Sequence, residues 1–294
     1  MKKLYKLIAL LGALLLLAGC AAPQEPTPPA VSPTVTAEVT PAPAPENPVI
    51  RLSTTTSVND SGLLSYLQPF FEEATGYKLE ITSNGTGAAI KLGESGDADC
   101  LLVHAKASEE EFVAGGNGVE RIPFMYNYFV LTGPESDPAG LAQCADATAG
   151  MKAIAAAKAP FVSRGDDSGT HKAELKLWKS AEVDPAGKDW YLSAGAGMGA
   201  CLTQASERQA YVLTDKATYL SMADNLELKI LLEKSDEMKN TYSVIAVSPE
   251  KHEGINAEGA SAFIDWITGP EAGAMIADYG IAQYGEALFY LLEK

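Results

Sequence analysis

The chain has 294 residues, with 38 acidic against 22 basic side chains and a formal charge of −16. That surplus argues against a polyanion-binding groove, so nucleic acid is not an expected partner, but it does not forbid a small anion held by local dipoles in a cleft. The four cysteines and three histidines lie far apart, with no C-x-x-C or H-E-x-x-H spacing, so no protein-ligated metal and no cofactor is expected.

Lys2, Lys3 and Lys6 precede an apolar run from Leu7 to Ala18, followed by Gly19 and Cys20. This reads as a secretory leader over residues 1–19. The run is too short to cross ~30 Å of hydrocarbon comfortably. Leu17-Ala18-Gly19-Cys20 resembles a lipobox, which implies lipidation at Cys20 and an extracytoplasmic, membrane-anchored protein. Residues 20–48 then read as a tether, because nine of the seventeen prolines fall between Ala21 and Pro48 among Ala, Thr, Val and Glu. Such a composition cannot bury enough apolar surface to order itself. Removal of residues 1–19 takes away three lysines and no acid, so the mature chain is more acidic still.

The remaining stretch of roughly 245 residues suits two lobes better than one core. Strand-like and helix-like segments alternate along it: Val49–Ser53, Leu63–Ala74, Lys78–Thr82, Ala88–Leu92 and Ala98–Val103. Repeats of this kind build open, mainly parallel sheets flanked by helices. Tyr128–Gly133 and Tyr242–Pro249 read as two strands crossing between lobes, and a helix is expected over Ala260–Ile267. The expected architecture is therefore α/β and two-lobed, with residues 49–133 plus 242–294 as lobe I and 134–241 as lobe II. A single contiguous domain is the alternative.

Four loops rich in glycine and hydroxyls fall at the carboxyl ends of expected strands, where open α/β sheets bind ligands. The first is Ser53-Thr54-Thr55-Thr56-Ser57, with Asp60 or Ser61 available to cap the next helix. The Thr54, Thr55, Thr56 and Ser57 hydroxyls and amides are then candidates to donate to an anion; a solvated turn is the plainer reading. The second, Ser83-Asn84-Gly85-Thr86-Gly87, permits close backbone approach and places Thr86 at a helix start, but it lacks the further glycines or lysine of a nucleotide loop. In the third, Arg164 follows a short strand and precedes Asp166, Asp167, Ser168, Gly169, Thr170 and His171. It is the only cation in the four loops, and its planar fork suits a tetrahedral oxyanion. Arg164 can equally pair with Asp166 or Asp167, and the two roles are compatible. The fourth, Ser193 to Ala200, offers backbone contacts from Gly197, Met198 and Gly199, or is simply a tight turn before a helix over Cys201–Gln209.

At Thr54-Thr55-Thr56-Ser57, Gly85-Thr86-Gly87, Ser163-Arg164-Gly165-Asp166-Asp167-Ser168-Gly169-Thr170-His171 and Gly197-Met198-Gly199, the sequence resembles the tungstate-binding proteins of TupA-type ABC importers. The likeness continues through Leu92–Asp99, Leu101–Ala105, Met125–Asn127, Tyr242–Val247 and Phe263–Trp266, covering nearly all of residues 50–290. It implies a class II periplasmic-binding-protein fold and a non-catalytic, monomeric binding component. That component takes tungstate, or molybdate, and delivers it to a permease and its ATPase. It also implies a ligand set of Thr55, Ser57, Thr86, Arg164 and Thr170, with Thr54, Thr56, Gly87, Ser168 and Gly169 beside them. The sequence departs from the family pattern at Cys100, Ala196 and Cys201; Ala196 leaves only amides to contribute from the fourth loop.

Two other functions compete. The site could serve another oxyanion such as phosphate or sulfate. A serine hydrolase would use Ser57 or Ser168 as nucleophile and His104 or His171 as base, but no G-x-S-x-G elbow surrounds either serine, and His171 is placed to cap or pack.

Overall fold

The computed structural model describes residues 45–293; the leader, Cys20 and the tether up to residue 44 lie outside the described residues. The first segment runs β1 (Val49–Thr55), α1 (Thr56–Asp60), α2 (Leu63–Thr75), β2 (Lys78–Asn84), α3 (Thr86–Ser95), β3 (Cys100–Val103) and α4 (Lys106–Ala114). A long strand, β4 (Ile122–Gly133), leads into α5 (Ala147–Ala157), β5 (Phe161–Ser163), α6 (Gly169–Ser180), β6 (Tyr191–Ser193), α7 (Met198–Arg208), β7 (Tyr211–Asp215), α8 (Lys216–Met222) and β8 (Lys229–Leu232). The chain returns through β9 (Lys239–Ala246) to α9 (Ala257–Ile267), α10 (Pro270–Asp278), α11 (Ile281–Tyr284) and β10 (Tyr290–Leu291).

The strands form one hydrogen-bonded path, β2-β1-β3-β9-β4-β7-β5-β6, with β8 and β10 also on β4. The path has an internal symmetry. In the first half β1 lies between β2 and β3, both parallel to it; in the second half β5 lies between β6 and β7, again parallel. Each triplet is then joined by an antiparallel strand arriving from the other half: β9 beside β3, and β4 beside β7. The two arriving strands pair with each other over Ile122–Tyr128 of β4, whereas Phe129–Thr132 pair with β7. Hydrogen bonding thus changes partner after Tyr128, ahead of Gly133, where the sequence places the boundary.

Alternation along the strands puts helices on both faces. In β3, Cys100 and Leu102 join the cluster formed with α2, α9 and α10, while Leu101 and Val103 face α3 and α4. In the second half, Phe161 and Leu213 pack with α5 and α6, while Val162 and Val212 pack with α7 and α8. The third segment is pinned to the first by buried Asp99, which takes Nε of Arg51 at 3.1 Å, its Nη2 at 2.6 Å and the Asn256 amide at 2.9 Å. Cys100, Cys144 and Cys201 are free thiols, the first and last fully buried.

Three local differences from the sequence reading have physical causes. The crossing strand β4 starts at Ile122 rather than Tyr128, because Pro123 is accommodated at a register shift against β9 between Pro123 and Met125. The second crossing strand covers Lys239–Ala246 instead of 242–249. Thr56 and Ser57 belong to the short helix α1 rather than to a loop.

The Phe71 ring is fully buried, 5.3 Å from Phe263 and 5.5 Å from Trp266 by ring centroids. Phe71→Ala should cost about 3–5 kcal/mol, read as a lower urea midpoint with an unchanged slope. A loss below about 1 kcal/mol would contradict this packing.

Candidate functional site

The hydroxyl run at the end of β1 is largely spent inside the protein. Ser53 Oγ donates to Ala89 O at 3.0 Å and Thr54 Oγ1 to Leu102 O at 2.8 Å. Ser57 Oγ lies 3.0 Å from His104 Nε2 and 3.1 Å from Thr55 Oγ1, and it accepts from the Tyr242 hydroxyl at 3.3 Å. The direction of these bonds follows from the other side of the ring. Asn240 Nδ2 donates to Asn127 Oδ1 at 2.9 Å, so Asn240 Oδ1 accepts the His104 Nδ1 proton at 2.7 Å. His104 Nε2 is then bare and takes the Ser57 proton, leaving Thr55 to donate to Ser57.

The Thr54, Thr55 and Ser57 hydroxyls, read from the sequence as candidate anion donors, are thus hydrogen-bonded within the protein in this structure. Each has its one proton engaged by the protein, and Thr56 remains the half-buried hydroxyl of the run with no such engagement among the described residues. The amides at the start of α1 are left as donors by the helix geometry, since Thr55 makes no side-chain cap.

Several buried side-chain donors have no acceptor among the described residues, and Thr86 Oγ1 of the second loop and Arg164 Nε of the third are among them. Thr86 opens α3 behind Gly85, which provides no side-chain cap. Arg164 is only 4% exposed, at the end of β5. Its Nη2 donates to Asp166 Oδ2 at 2.5 Å, and Asp166 Oδ1 accepts the Ser168 amide at 3.2 Å. Burial would raise the Asp166 carboxyl, but hydrogen bonding by Ser168 and the Arg164 charge outweigh it and hold it below the usual carboxylate range. Leaving a buried donor without an acceptor costs ~1–3 kcal/mol, more for a charged group. A strong acceptor is what these two atoms call for.

The local sequence explains the posture of Arg164. Gly165 has φ of 61°, and a Cβ there would sit 1.9 Å from Ser193 Oγ, so only glycine lets this turn lie against the end of β6. Ser168 caps α6 by accepting the His171 amide at 3.2 Å, and His171 Nδ1 accepts from Asp167 N at 3.1 Å. Both residues are thereby used structurally, while Gly169 and the buried Thr170 form the first turn of α6.

The halves touch at this site. A Cβ on Gly169 would lie 2.4 Å from His104 Cε1, and one on Gly87 would lie 3.5 Å from Asp167 Oδ2. The first three loops are thus brought together. Burial, reinforced by the Arg164 charge and opposed by the hydrogen bond to Asn240, pushes the His104 ring down to about 4, so it is neutral at ordinary pH. The fourth loop joins less directly: Ala196 N donates to Arg164 O at 3.3 Å, and Gly197 caps α7 with open space beside it. Gly199 has a packing reason instead, since a Cβ there would meet Met222 Sδ at 3.3 Å. Met198 is buried.

Ser57, His104 and Asn240 trace the outline of a nucleophile, base and orienting group, but Ser57 Oγ gives one hydrogen bond, receives two and belongs to a residue only 5% exposed. Its lone pairs are occupied, so attack on a substrate is closed to it. Sequence reasoning weighed His104 only as a base and passed over Asn127, Asn240 and Tyr242, whose roles depend on contacts more than a hundred residues apart. It also missed Glu174, buried on α6, which accepts from Trp178 Nε1 at 3.0 Å and the Tyr191 hydroxyl at 2.7 Å. Its spacing to Leu177 and Trp178 on the apolar face of a helix was the available signal.

Residues 42–271 match the family model described as a PBP superfamily domain. A tungstate-binding protein TupA of Peptoclostridium acidaminophilum is 48% identical over 292 residues, 98% of either chain. The tungstate-binding protein TupA of Campylobacter jejuni is 38% identical, across 76% of this chain and 84% of its own. Among solved structures, the tungstate-binding protein TupA of Desulfovibrio alaskensis superimposes with a TM-score of 0.75 at 42% identity, covering 84% of this chain and all of that one. The tungstate ABC transporter structure from Geobacter sulfurreducens gives 0.73 at 47% identity, covering 79% and 98%.

Burial pushes the Glu174 carboxyl up from an ordinary 4.5 to about 7, against the hydrogen bonds from Tyr191, Ser163 and Trp178. The folded state then binds a proton that the unfolded chain has released, so this group's contribution to stability is complete below its ordinary value and is lost as pH rises to about 7. Glu174→Gln should flatten the fall in unfolding free energy across that window. At pH 8 the variant should be the more stable protein by on the order of 2–3 kcal/mol. Parallel pH profiles for the two proteins would contradict the assignment.

Proposed function

The chain belongs to the PBP superfamily and, within it, to the TupA-type tungstate-binding proteins; from that membership we propose that it captures tungstate outside the cytoplasm for delivery to an ABC importer. It is a binding component and not an enzyme. The observation that carries the ligand class is the presence, among the buried donors without acceptors, of Thr86 Oγ1 from one half and Arg164 Nε from the other.

In this reading the oxyanion lies between Arg164 and the start of α3, with Thr56, the amides of α1 and the first turn of α6 at Gly169 and Thr170 completing a shell of donors. Gly87 and the amides of Gly197, Met198 and Gly199 close the periphery. A donor-only shell favours a fully deprotonated dianion. A singly protonated phosphate would need an acceptor, and the Asp166 carboxylate is already engaged by Arg164 and by the Ser168 amide. His104 offers none either, because its free nitrogen holds the Ser57 proton. Sulfate meets the same charge requirement, so size separates it from the larger tungstate and molybdate.

Capture and release follow from the division of donors. The two lobes, residues 49–133 with 242–294 and residues 134–241, swing about β4 and β9, so that opening removes Arg164 from an anion still held by the first half. Cys20 carries the lipid, the segment from Cys20 to Pro48 is the tether, and the monomer presents its ligand to a permease and ATPase in the membrane.

Calorimetric titration tests the ligand assignment. Arg164→Ala should weaken tungstate binding by about 2–5 kcal/mol, thirty-fold or more, with the far-ultraviolet spectrum unchanged. Thr86→Val, which keeps the shape and deletes the donor, should cost roughly 0.5–1.5 kcal/mol. Unchanged affinity in both variants would end the assignment.

A further inference from the structure

Beside the meeting point of the two halves runs a groove of about 720 Å³, and His104 and Gly169 form part of its wall. These two residues are in close approach, since a Cβ on Gly169 would lie 2.4 Å from His104 Cε1. The floor of the groove is Pro123 and Phe129 of β4 with Asn240 of β9, and its sides come from α4 and α6, so both halves line it. The lining is basic in an acidic protein: Lys106, Arg121, Lys172, Lys176 and Lys239 face only Glu110 and Glu237.

Some of that charge is compensated. Arg121 Nε is 2.6 Å from buried Glu109, Lys106 lies 3.6 Å from Glu110, and Glu237 is held by the Thr148 amide and hydroxyl. The charges on α6 and β9 are left more exposed to the groove. Lys172 reaches Asp167 only at 3.6 Å, Lys239 lies 3.9 Å over the Tyr126 ring, and Lys176 has no ion pair among the described residues. The placing of the α6 pair is electrostatically unfavourable for the helix itself. Lys172 stands in the first turn, where the macrodipole repels cations, and Lys172 and Lys176 are like charges at i,i+4.

A dianion approaching a protein of charge −16 is repelled at long range. Within a screening length of ~8 Å, however, only nearby charges act, and a low-dielectric groove focuses them. At the contact between Gly87 and the third loop the nearest charge is the Asp167 carboxylate, which repels the same ligand. We propose that the groove lined by Lys172, Lys176 and Lys239 is the approach vestibule, an outer, hydrated site that concentrates a divalent tetrahedral oxyanion and passes it inward when His104 and Gly169 part. The proposal rests on the oxyanion reading above and adds the route and the residues that set its rate.

Stopped-flow mixing of the whole protein with tungstate, followed by intrinsic tryptophan fluorescence, separates association from dissociation. The triple variant Lys172→Gln, Lys176→Gln, Lys239→Gln should lower kon about tenfold at low ionic strength and change koff less than about twofold. Its rate should meet that of the unaltered protein near 0.5 M salt. A second triple, Lys152→Gln, Lys188→Gln, Lys229→Gln, removes the same net charge from exposed positions elsewhere and should leave kon within about twofold. Equal effects of the two triples, or a loss confined to koff, would overturn the vestibule while leaving tungstate capture intact. An unaltered protein that binds neither tungstate, molybdate nor sulfate would overturn both.

Discussion

A guanidinium buried to 4% exposure, with one carboxylate partner and an Nε–H that no described residue accepts, is the constraint around which the rest of the site is arranged. Burying such a charge costs several kcal/mol unless its donors are met. Asp166 meets part of that need and fixes the plane of the group, Gly165 gives the backbone the turn that points it inward, and β5 supplies a rigid base. What remains is a directed donor in a poorly solvated place. The charge also acts on its surroundings: it helps keep His104 neutral and opposes the effect of burial on the Asp215 carboxyl, which is nonetheless raised.

Neutral His104 in turn allows the end of β1 to be built as it is. A ring with a proton on Nδ1 and none on Nε2 joins Asn240 to Ser57, and through Asn127 and Tyr242 it closes a loop of hydrogen bonds on both strands that pass between the halves. The hydroxyl-rich end of β1 is therefore tied to β4 and β9 by side chains. In the run Ser53–Ser57 the Ser53, Thr54, Thr55 and Ser57 hydroxyls are hydrogen-bonded within the protein.

Much of the fold was legible because it rests on local signals. The expected segments Leu63–Ala74 and Lys78–Thr82 correspond to α2 and β2 within one or two residues, and Ala260–Ile267 lies inside α9. Expectation and structure part where a residue's role is set by distant neighbours. Pro123 hides the first half of β4, since the bulge that accommodates it is a property of the pairing with β9. The hydroxyls of Thr54 and Ser57 looked equivalent to that of Thr56 along the chain; their acceptors, Leu102 and His104, come from another strand. The pairing of Arg164 with Asp166 was legible because its carboxylate partner lies two residues away. Glu174 carried a signal in its spacing to Leu177 and Trp178, but its partner Tyr191 lies on another element and is seen only in the structure.

The most direct measurement is a crystal structure of the protein with tungstate, phased or checked on the tungsten anomalous signal. The account predicts one strong peak between the halves, with oxyanion oxygens at about 2.7–3.2 Å from both Arg164 Nε and Thr86 Oγ1. A peak confined to the lysine-lined groove, or an occupied cleft in which those two donors still lack an acceptor, would contradict it.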